Sequence, residues 1–196
     1  MSIPEFIVAV PARFSASRLP GKPLRLLGGE PIVRHVVRRA LAAGAAEVVL
    51  ATDDARIAEA VDGLAVRVCM TRSDHPSGTD RLAECAQQCA WPDDALVVNL
   101  QGDEPFAPVA ALQAVAATLA ASAAPMATLA TPITDTATLF DPNAVKVVTD
   151  ASGHALYFSR APIPWHRDRY AVDRIRTPDA PCLRHIGMYA YRAGFL

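Results

Sequence analysis

The stretch Phe6-Ile7-Val8-Ala9-Val10, continued by Pro11-Ala12-Arg13-Phe14-Ser15-Ala16-Ser17-Arg18-Leu19-Pro20-Gly21-Lys22-Pro23-Leu24, decides the fold. Five apolar, partly β-branched residues in a row read as a buried first strand over residues 5–10. The loop after it is punctuated by Pro and Gly and carries three cations, Arg13, Arg18 and Lys22. In open α/β sheets, ligands bind at the C-terminal ends of the strands, where this loop would lie. Two guanidiniums and one ammonium suit a polyphosphate, the first as planar forks and the second as a compact point charge. The plainer alternative is a solvated basic turn, since charged side chains usually face water.

Outward from this strand, strand-like and helix-like patterns alternate. A helix is expected from about Pro31 to Ala43, with Ile32, Val33, Val36, Val37, Ala40 and Leu41 as its apolar face. Pro31 suits its first turn and Gly44 its stop. Val48–Ala51 reads as a strand, Ala55–Val61 as a short helix and Ala65–Met70 as another strand. Ser77 opens a helix reaching about Ala90, with Asp80 three residues on in a capping-box-like start. Such a cap contributes about 1 kcal/mol. Ala95–Leu100 is a buried strand, followed by an Ala-rich helix from about Ala107 to Ala121. This alternation implies a mostly parallel sheet covered by helices. After Pro125 the pattern changes to short β-like pieces at Met126–Ala130, Val145–Thr149, Ala155–Phe158 and Gly187–Tyr191. They read as a sheet extension. The polar, Pro-rich stretch from Pro162 to Pro181 reads as a mobile, substrate-facing flap.

Bulk properties narrow the class. A chain of 196 residues, 52% hydrophobic, buries enough surface to fold without staples. Net charge is -1, so there is no basic excess of the kind that binds nucleic acid, and any cationic site is local. Four cysteines with no C-x-x-C pair argue against a zinc site or a disulfide framework. Cys85 and Cys89 share a helical face with Leu82 and Ala86 and read as small buried apolar residues. No signal pattern or membrane-length apolar run is present, so a cytoplasmic setting is expected.

Asp103 is the second strong signal. It follows a strand that must be buried, which would hold its carboxylate at the ligand-binding edge. Mg²⁺ takes one or two carboxylates plus substrate phosphates, the arrangement of metal-assisted nucleotidyl transfer. The alternative is an Asp that caps the helix beginning near Ala107. Neither G-x-x-x-x-G-K-[ST] nor G-x-G-x-x-G nor G-x-S-x-G occurs where it would be needed. P-loop NTPases, dinucleotide oxidoreductases and serine hydrolases therefore fall away.

Six blocks together carry a family resemblance: Pro11–Leu24, Met70–Glu84 (MTRSDHPSGTDRLAE), Asn99–Pro105 (NLQGDEP), Asn143–Val148 (NAVKVV), Tyr157–Trp165 (YFSRAPIPW) and Leu183–Arg192 (LRHIGMYAYR). In order and over nearly all of the chain, they resemble the 3-deoxy-manno-octulosonate cytidylyltransferases, or CMP-KDO synthetases. The resemblance implies a GT-A-like, Rossmann-like α/β fold with a mostly parallel mixed sheet flanked by helices. It implies one nucleotidyltransferase domain, residues 1–196, with a nucleotide-binding core over about 1–122 and a smaller sugar-binding and dimerisation part over about 123–196. The implied reaction joins CTP and KDO to give CMP-KDO and pyrophosphate, in a cytoplasmic homodimer serving lipopolysaccharide biosynthesis.

By matching motif, Arg13 and Lys22 would bind CTP phosphates, with Arg18 completing the cationic loop. Met70, Thr71, Arg72, Ser77 and Gly78 would meet cytosine and ribose, and Asp103 would hold Mg²⁺. Arg13, Lys22 and Asp103 form the expected catalytic set. Gln101, Arg160, His185 and Tyr189 would face the sugar acid, whose carboxylate and hydroxyls suit an arginine and an imidazole. Each has a plainer alternative: a surface ion pair for Arg160, a satisfied loop imidazole for His185, a core ring for Tyr189. The other histidines read as helix-surface or loop residues, with His75 alone near the nucleotide motif. The resemblance also implies a further segment beyond Leu196, supplying a second metal-binding Asp, acidic sugar contacts and some dimer contacts. Rival readings are the same chemistry on 8-amino-KDO or a sialic acid, a GT-A glycosyltransferase, and a shortened form that binds CTP without turnover. The glycosyltransferase would normally show a D-x-D motif after a buried strand, and none is present.

Overall fold

The structure is a computed structural model that describes residues 3–15, 19–170 and 181–196. By internal contacts the chain divides into two compact units, residues 1–127 with 188–196, and residues 128–187.

In the first unit, β1 (Ile7–Ala12) lies between two parallel neighbours. After it come a 3-10 turn at Lys22–Leu24 and a small hairpin of β2 (Leu26–Leu27) and β3 (Glu30–Pro31). The hairpin turns at Gly28 and Gly29, both at positive φ, a backbone that glycine adopts without penalty. Two-residue strands are too short to show alternation, so this hairpin left no periodic trace. Helix α1 (Ile32–Ala42) then leads to β4 (Glu47–Thr52), α2 (Ala55–Glu59), β5 (Arg67–Met70), α3 (Gly78–Cys89), β6 (Leu96–Asn99) and α4 (Val109–Ala120). These agree with the expected elements to within a few residues.

The strand order is β5-β4-β1-β6, all parallel, with the end of the last strand, β10 (Leu183–Arg192), antiparallel to β6. Both faces are covered, as near-continuous apolar strands require. Ala9, Val49, Ala51, Cys69 and Val97 pack with Leu82 and Cys85 of α3 in one apolar cluster. Alternation turns Val8, Val10, Leu50 and Val98 to the opposite face, and they too are fully buried. Helices α1 and α4 pack against each other. The chain moves from β1 to one side through β4 and β5, then returns to place β6 on the other. The order therefore reverses between β1 and β6, the place where open α/β sheets form a crevice.

The second unit is built on β8 (Lys146–Thr149) and β9 (Ala155–Ser159), an antiparallel hairpin. The first part of β10 (Leu183–Arg192) pairs antiparallel with β8. Strand β7 (Met126–Pro132) pairs with β10. Two short helices, α5 (Thr136–Phe140) and α6 (Arg167–Tyr170), had no clear signal because each is shorter than two turns. Asp135 caps α5 by accepting the Thr138 N–H. Ile133, Leu139, Tyr170 and Cys182 form a small core. Of the expected flap, residues 171–180 lie outside the described residues, and Tyr170 before them is buried. β10 starts four residues earlier than the sequence suggested, because Leu183 and Arg184 already pair with β8. Among the described residues, no helix is long and apolar enough to cross a membrane.

Candidate active site

A cavity of about 230 Å³ opens at the β1/β6 switch point. Its lining includes Arg13 and Lys22 from the basic loop, Ser77, Gly78 and Arg81 from the start of α3, and Gln101 and Asp103 from the loop after β6. The sheet explains the meeting. β1 ends at Ala12, so Arg13 is the next residue; β6 ends at Asn99, so Gln101 and Asp103 leave the neighbouring strand at the same edge.

Glycine at 102 is a packing requirement. Its N–H donates to Pro11 O at 3.2 Å, and a Cβ there would sit 2.7 Å from that same oxygen. This close approach seats Asp103, whose Oδ2 accepts Lys22 Nζ at 2.5 Å. Asp103 is not a helix cap: α4 begins at Val109 behind Pro108, with no side-chain cap. The carboxylate therefore faces the cavity, partnered by a cation.

The basic loop is held from beneath. Gly21, at φ 68°, donates its N–H to Phe14 O at 2.8 Å, and Phe14 donates its own N–H to Asp53 Oδ1 at 3.2 Å. The Arg56 guanidinium lies over the Phe14 ring, 3.8 Å from its centroid. Asp53 Oδ2 in turn accepts Arg81 Nη2 at 3.0 Å, and both side chains are almost fully buried. Arg81 also donates to the Thr71 hydroxyl. Arg81 and Asp53 were not singled out from the sequence. The available signal was a charge on the buried stripe of α3, beside Leu82, Cys85 and Ala86, which demands a partner. Arg18 lies outside the described residues.

The expected cytidine loop is anchored at both ends. Thr71 donates its N–H to Thr52 O at 2.8 Å and its hydroxyl to the same oxygen at 3.2 Å, so its side chain faces inward. Arg72 N–H donates to Glu84 Oε2 at 3.1 Å, and the Arg72 side chain pairs with Asp74 in solvent. Glu84 also pairs with His75, whose side chain is only 7% exposed, so His75 belongs to the loop's frame. Met70 is half-exposed, and its carbonyl accepts from Gln88. Ser77 accepts the Asp80 N–H, the cap read from the sequence, and donates its hydroxyl to the Asp80 carboxylate. Its side chain is therefore used by the helix start, leaving backbone groups to face a ligand.

The candidate sugar-acid residues divide. Gln101 lines the cavity, donating to Asn99 Oδ1 at 3.4 Å. Tyr189 stands opposite Asn99 on β10 and stacks beside Tyr191, and burial raises its phenol pKa. Arg160 and His185 lie in the second unit. Arg160 Nη1 donates to Pro142 O at 2.8 Å, with no ion pair among the described residues. Lys146, fully buried, grips the same turn through the carbonyls of Asp141 and Ala144, and burial lowers its pKa. His185 is a strand residue rather than a loop one. Its Nε2 meets the Thr128 hydroxyl at 2.9 Å, its ring meets Phe158 edge-on, and burial lowers its pKa.

The donor set suits Mg²⁺. One exposed carboxylate at a cationic cavity leaves most of the coordination sphere for water and phosphate oxygens. Burial, then repulsion from Asp103, raises the pKa of the adjacent Glu104.

Comparison with known proteins identifies relatives over nearly the whole chain. The 3-deoxy-manno-octulosonate cytidylyltransferase of Stenotrophomonas maltophilia (strain K279a) is 64% identical over 194 residues, covering 98% of this chain and 76% of that protein. The enzyme of the same name from Xylella fastidiosa (strain M12) is 62% identical over 197 residues, 77% of its length. The solved structure of CMP:2-keto-3-deoxy-manno-octonic acid synthetase complexed with CTP superposes with a TM-score of 0.84 at 42% identity, over 97% of this chain and 75% of that one. The family model described as cytidylyltransferase matches residues 7–196, nearly the whole length, and so the chain belongs to the cytidylyltransferase family.

Proposed function

We propose that this chain is a CMP-KDO synthetase, transferring the cytidylyl group of CTP to KDO with release of pyrophosphate. The observation that carries the reading is the convergence of Arg13, Lys22 and Asp103 on one cavity at the switch point, in a chain whose relatives bear that enzyme's name. The anomeric hydroxyl of KDO attacks the α-phosphorus, the bond to the bridging oxygen breaks, and pyrophosphate departs with that oxygen. Little covalent chemistry falls to the protein, which positions the reactants and offsets charge.

Arg13 grips phosphate oxygens in its planar fork. Lys22 exchanges its carboxylate partner for phosphate when CTP arrives, at small cost, because both groups of that pair are about two-fifths exposed. The exchange releases Asp103 to hold Mg²⁺. When bound, the ion would neutralise charge on the departing pyrophosphate. The backbone N–H groups at the start of α3 add partial positive charge at the cavity wall. In the Arg72–Pro76 stretch the backbone offers acceptors for the cytosine amine, while the N–H groups of Thr71 and Arg72 are already committed. Arg160 reads the KDO carboxylate, and Gln101, His185 and Tyr189 meet its hydroxyls.

A cytoplasmic enzyme supplying lipopolysaccharide synthesis is the setting that fits this product. A homodimer is supported by β9, where Leu156 and Tyr157 are 67% and 62% exposed, more apolar surface than a hairpin normally leaves to water. The test is pyrophosphate release from CTP, KDO and Mg²⁺, run beside UTP, ATP, 8-amino-KDO and a sialic acid. The reading expects release with CTP and KDO together and little without either. Equal rates with UTP, or none with KDO, would overturn it.

A further inference from the structure

Cys69, Cys85 and Cys89 form a cluster that the proposed reaction does not use. Their three sulfur atoms all lie within 4.8 Å of one another, and Cys85 Sγ is 3.9 Å from Cys89 Sγ. None is in a disulfide. One turn of α3 presents Cys85 and Cys89 on the same face, and the adjacent edge strand β5 supplies Cys69. The sequence pattern hid this, because the third thiol comes from another element.

We propose that these three residues form a trithiolate site for a thiophilic cation of the zinc type. With metal–sulfur bonds of about 2.3 Å, tetrahedral geometry places neighbouring sulfurs about 3.8 Å apart. The Cys85–Cys89 pair already has that spacing. Cys69 needs only a small side-chain adjustment to complete the triangle. Three soft sulfurs select zinc, cadmium or copper(I) over Mg²⁺, so this site is chemically separate from Asp103. Cys69 and Cys85 are buried, while Cys89 is partly exposed and provides the entry side and room for water as a fourth ligand.

Charge is compatible. Three thiolates and a divalent cation sum to one negative charge. The Arg67 guanidinium on β5, whose pKa is raised first by its hydrogen bond to Glu47, lies within electrostatic reach of Cys89 and Cys69 and would offset that charge. Arg67 also pairs with Glu47, whose other oxygen accepts the Trp91 indole N–H at 3.0 Å. Thiols give up protons when they bind a metal, so loading of the site is accompanied by proton release. The bound cation would tie β5 to the last turn of α3, the elements on either side of the Thr71–Ser77 loop. The proposal stands independently of the KDO reading.

The test titrates the reduced, metal-free chain with Cd²⁺ in excess Mg²⁺, following thiolate-to-cadmium absorption, proton release and thermal midpoint. One equivalent, proton release and a raised midpoint are expected, with Zn²⁺ displacing Cd²⁺. Cys89→Ser, at the partly exposed position and hence tolerant of a hydroxyl, should weaken binding at least tenfold. Cys182→Ser, in the other unit, should leave it unchanged. A cluster that only packs would show no saturable absorption at one equivalent, or an equal response in Cys89→Ser and the unchanged chain; either overturns the proposal.

Discussion

The two units solve the same problem of holding polar groups with opposite means. In the first, charged groups are fixed before any ligand arrives: Arg81 is locked onto Asp53, Asp53 onto the Phe14 backbone, and Phe14 onto Gly21 beside Lys22. Beneath them lies a parallel sheet buried on both faces. The second unit has, among the described residues, a small core cluster of Ile133, Leu139, Tyr170 and Cys182 and a β9 hairpin strand that leaves Leu156, Tyr157 and Phe158 to solvent. Two of its cations, Lys146 and Arg160, hold backbone carbonyls of one turn. Preorganisation belongs to the first unit, which on the proposed reading meets phosphate charge with little rearrangement.

Breaking the buried pair should show the difference most strongly. Asp53→Ala strands the Arg81 guanidinium, and removing one partner of a buried pair costs about 3–5 kcal/mol. Denaturant unfolding would show it, and Asp53→Ala with Arg81→Leu should recover most of the loss. Equal stability of the single and double variants would mean that the pair is not the anchor.

Lys22→Ala should lower turnover by about 10²–10³-fold, the usual effect of losing one preorganised electrostatic contact, with the fold unchanged by circular dichroism. Cytidine affinity should be nearly unaffected while CTP affinity falls, as calorimetry would show. A matching loss for cytidine would assign the loop to base recognition.

Gly102→Ala sharpens the claim that the first unit has no slack. The added methyl meets Pro11 O, and overpacking of this kind costs about 1–3 kcal/mol. Weaker CTP binding should accompany the lower stability.

Arg160→Lys probes the second unit. It keeps the charge and loses the planar grip, so the KM for KDO should rise about tenfold with the KM for CTP little changed. An unchanged KDO value would leave Arg160 as a clamp on Pro142 alone.

The smallest effect concerns His185. Burial holds its pKa below the usual 6.5, so the folded chain binds this proton less tightly than the unfolded chain. Its contribution to stability is present above about pH 6.5 and is lost as pH falls through the folded value. A proton NMR titration of the ring should give that lowered value, and His185→Gln should flatten this part of the stability profile.

Much of the first unit was legible because its information is local. Five apolar residues before a Pro- and Gly-punctuated loop, a Ser cap three residues ahead of Asp80, and Gly44 after an apolar helical face each act on their own neighbours. Periodicity and capping write such features into short windows. Family motifs singled out Arg13, Lys22, Gln101 and Asp103 individually, but not the arrangement that joins them. Lys22 and Asp103 meet because β6 pairs with β1, and no short window states which buried strand takes which neighbour. The same reason hid Arg81 against Asp53 and Cys69 beside Cys85 and Cys89. The sequence by itself determined the alternating α/β class and the family, and it singled out the residues proposed for phosphate and sugar-acid chemistry. Only the tertiary structure decided which charges and sulfurs became neighbours, because those contacts follow from strand order and close backbone approach rather than from local preference.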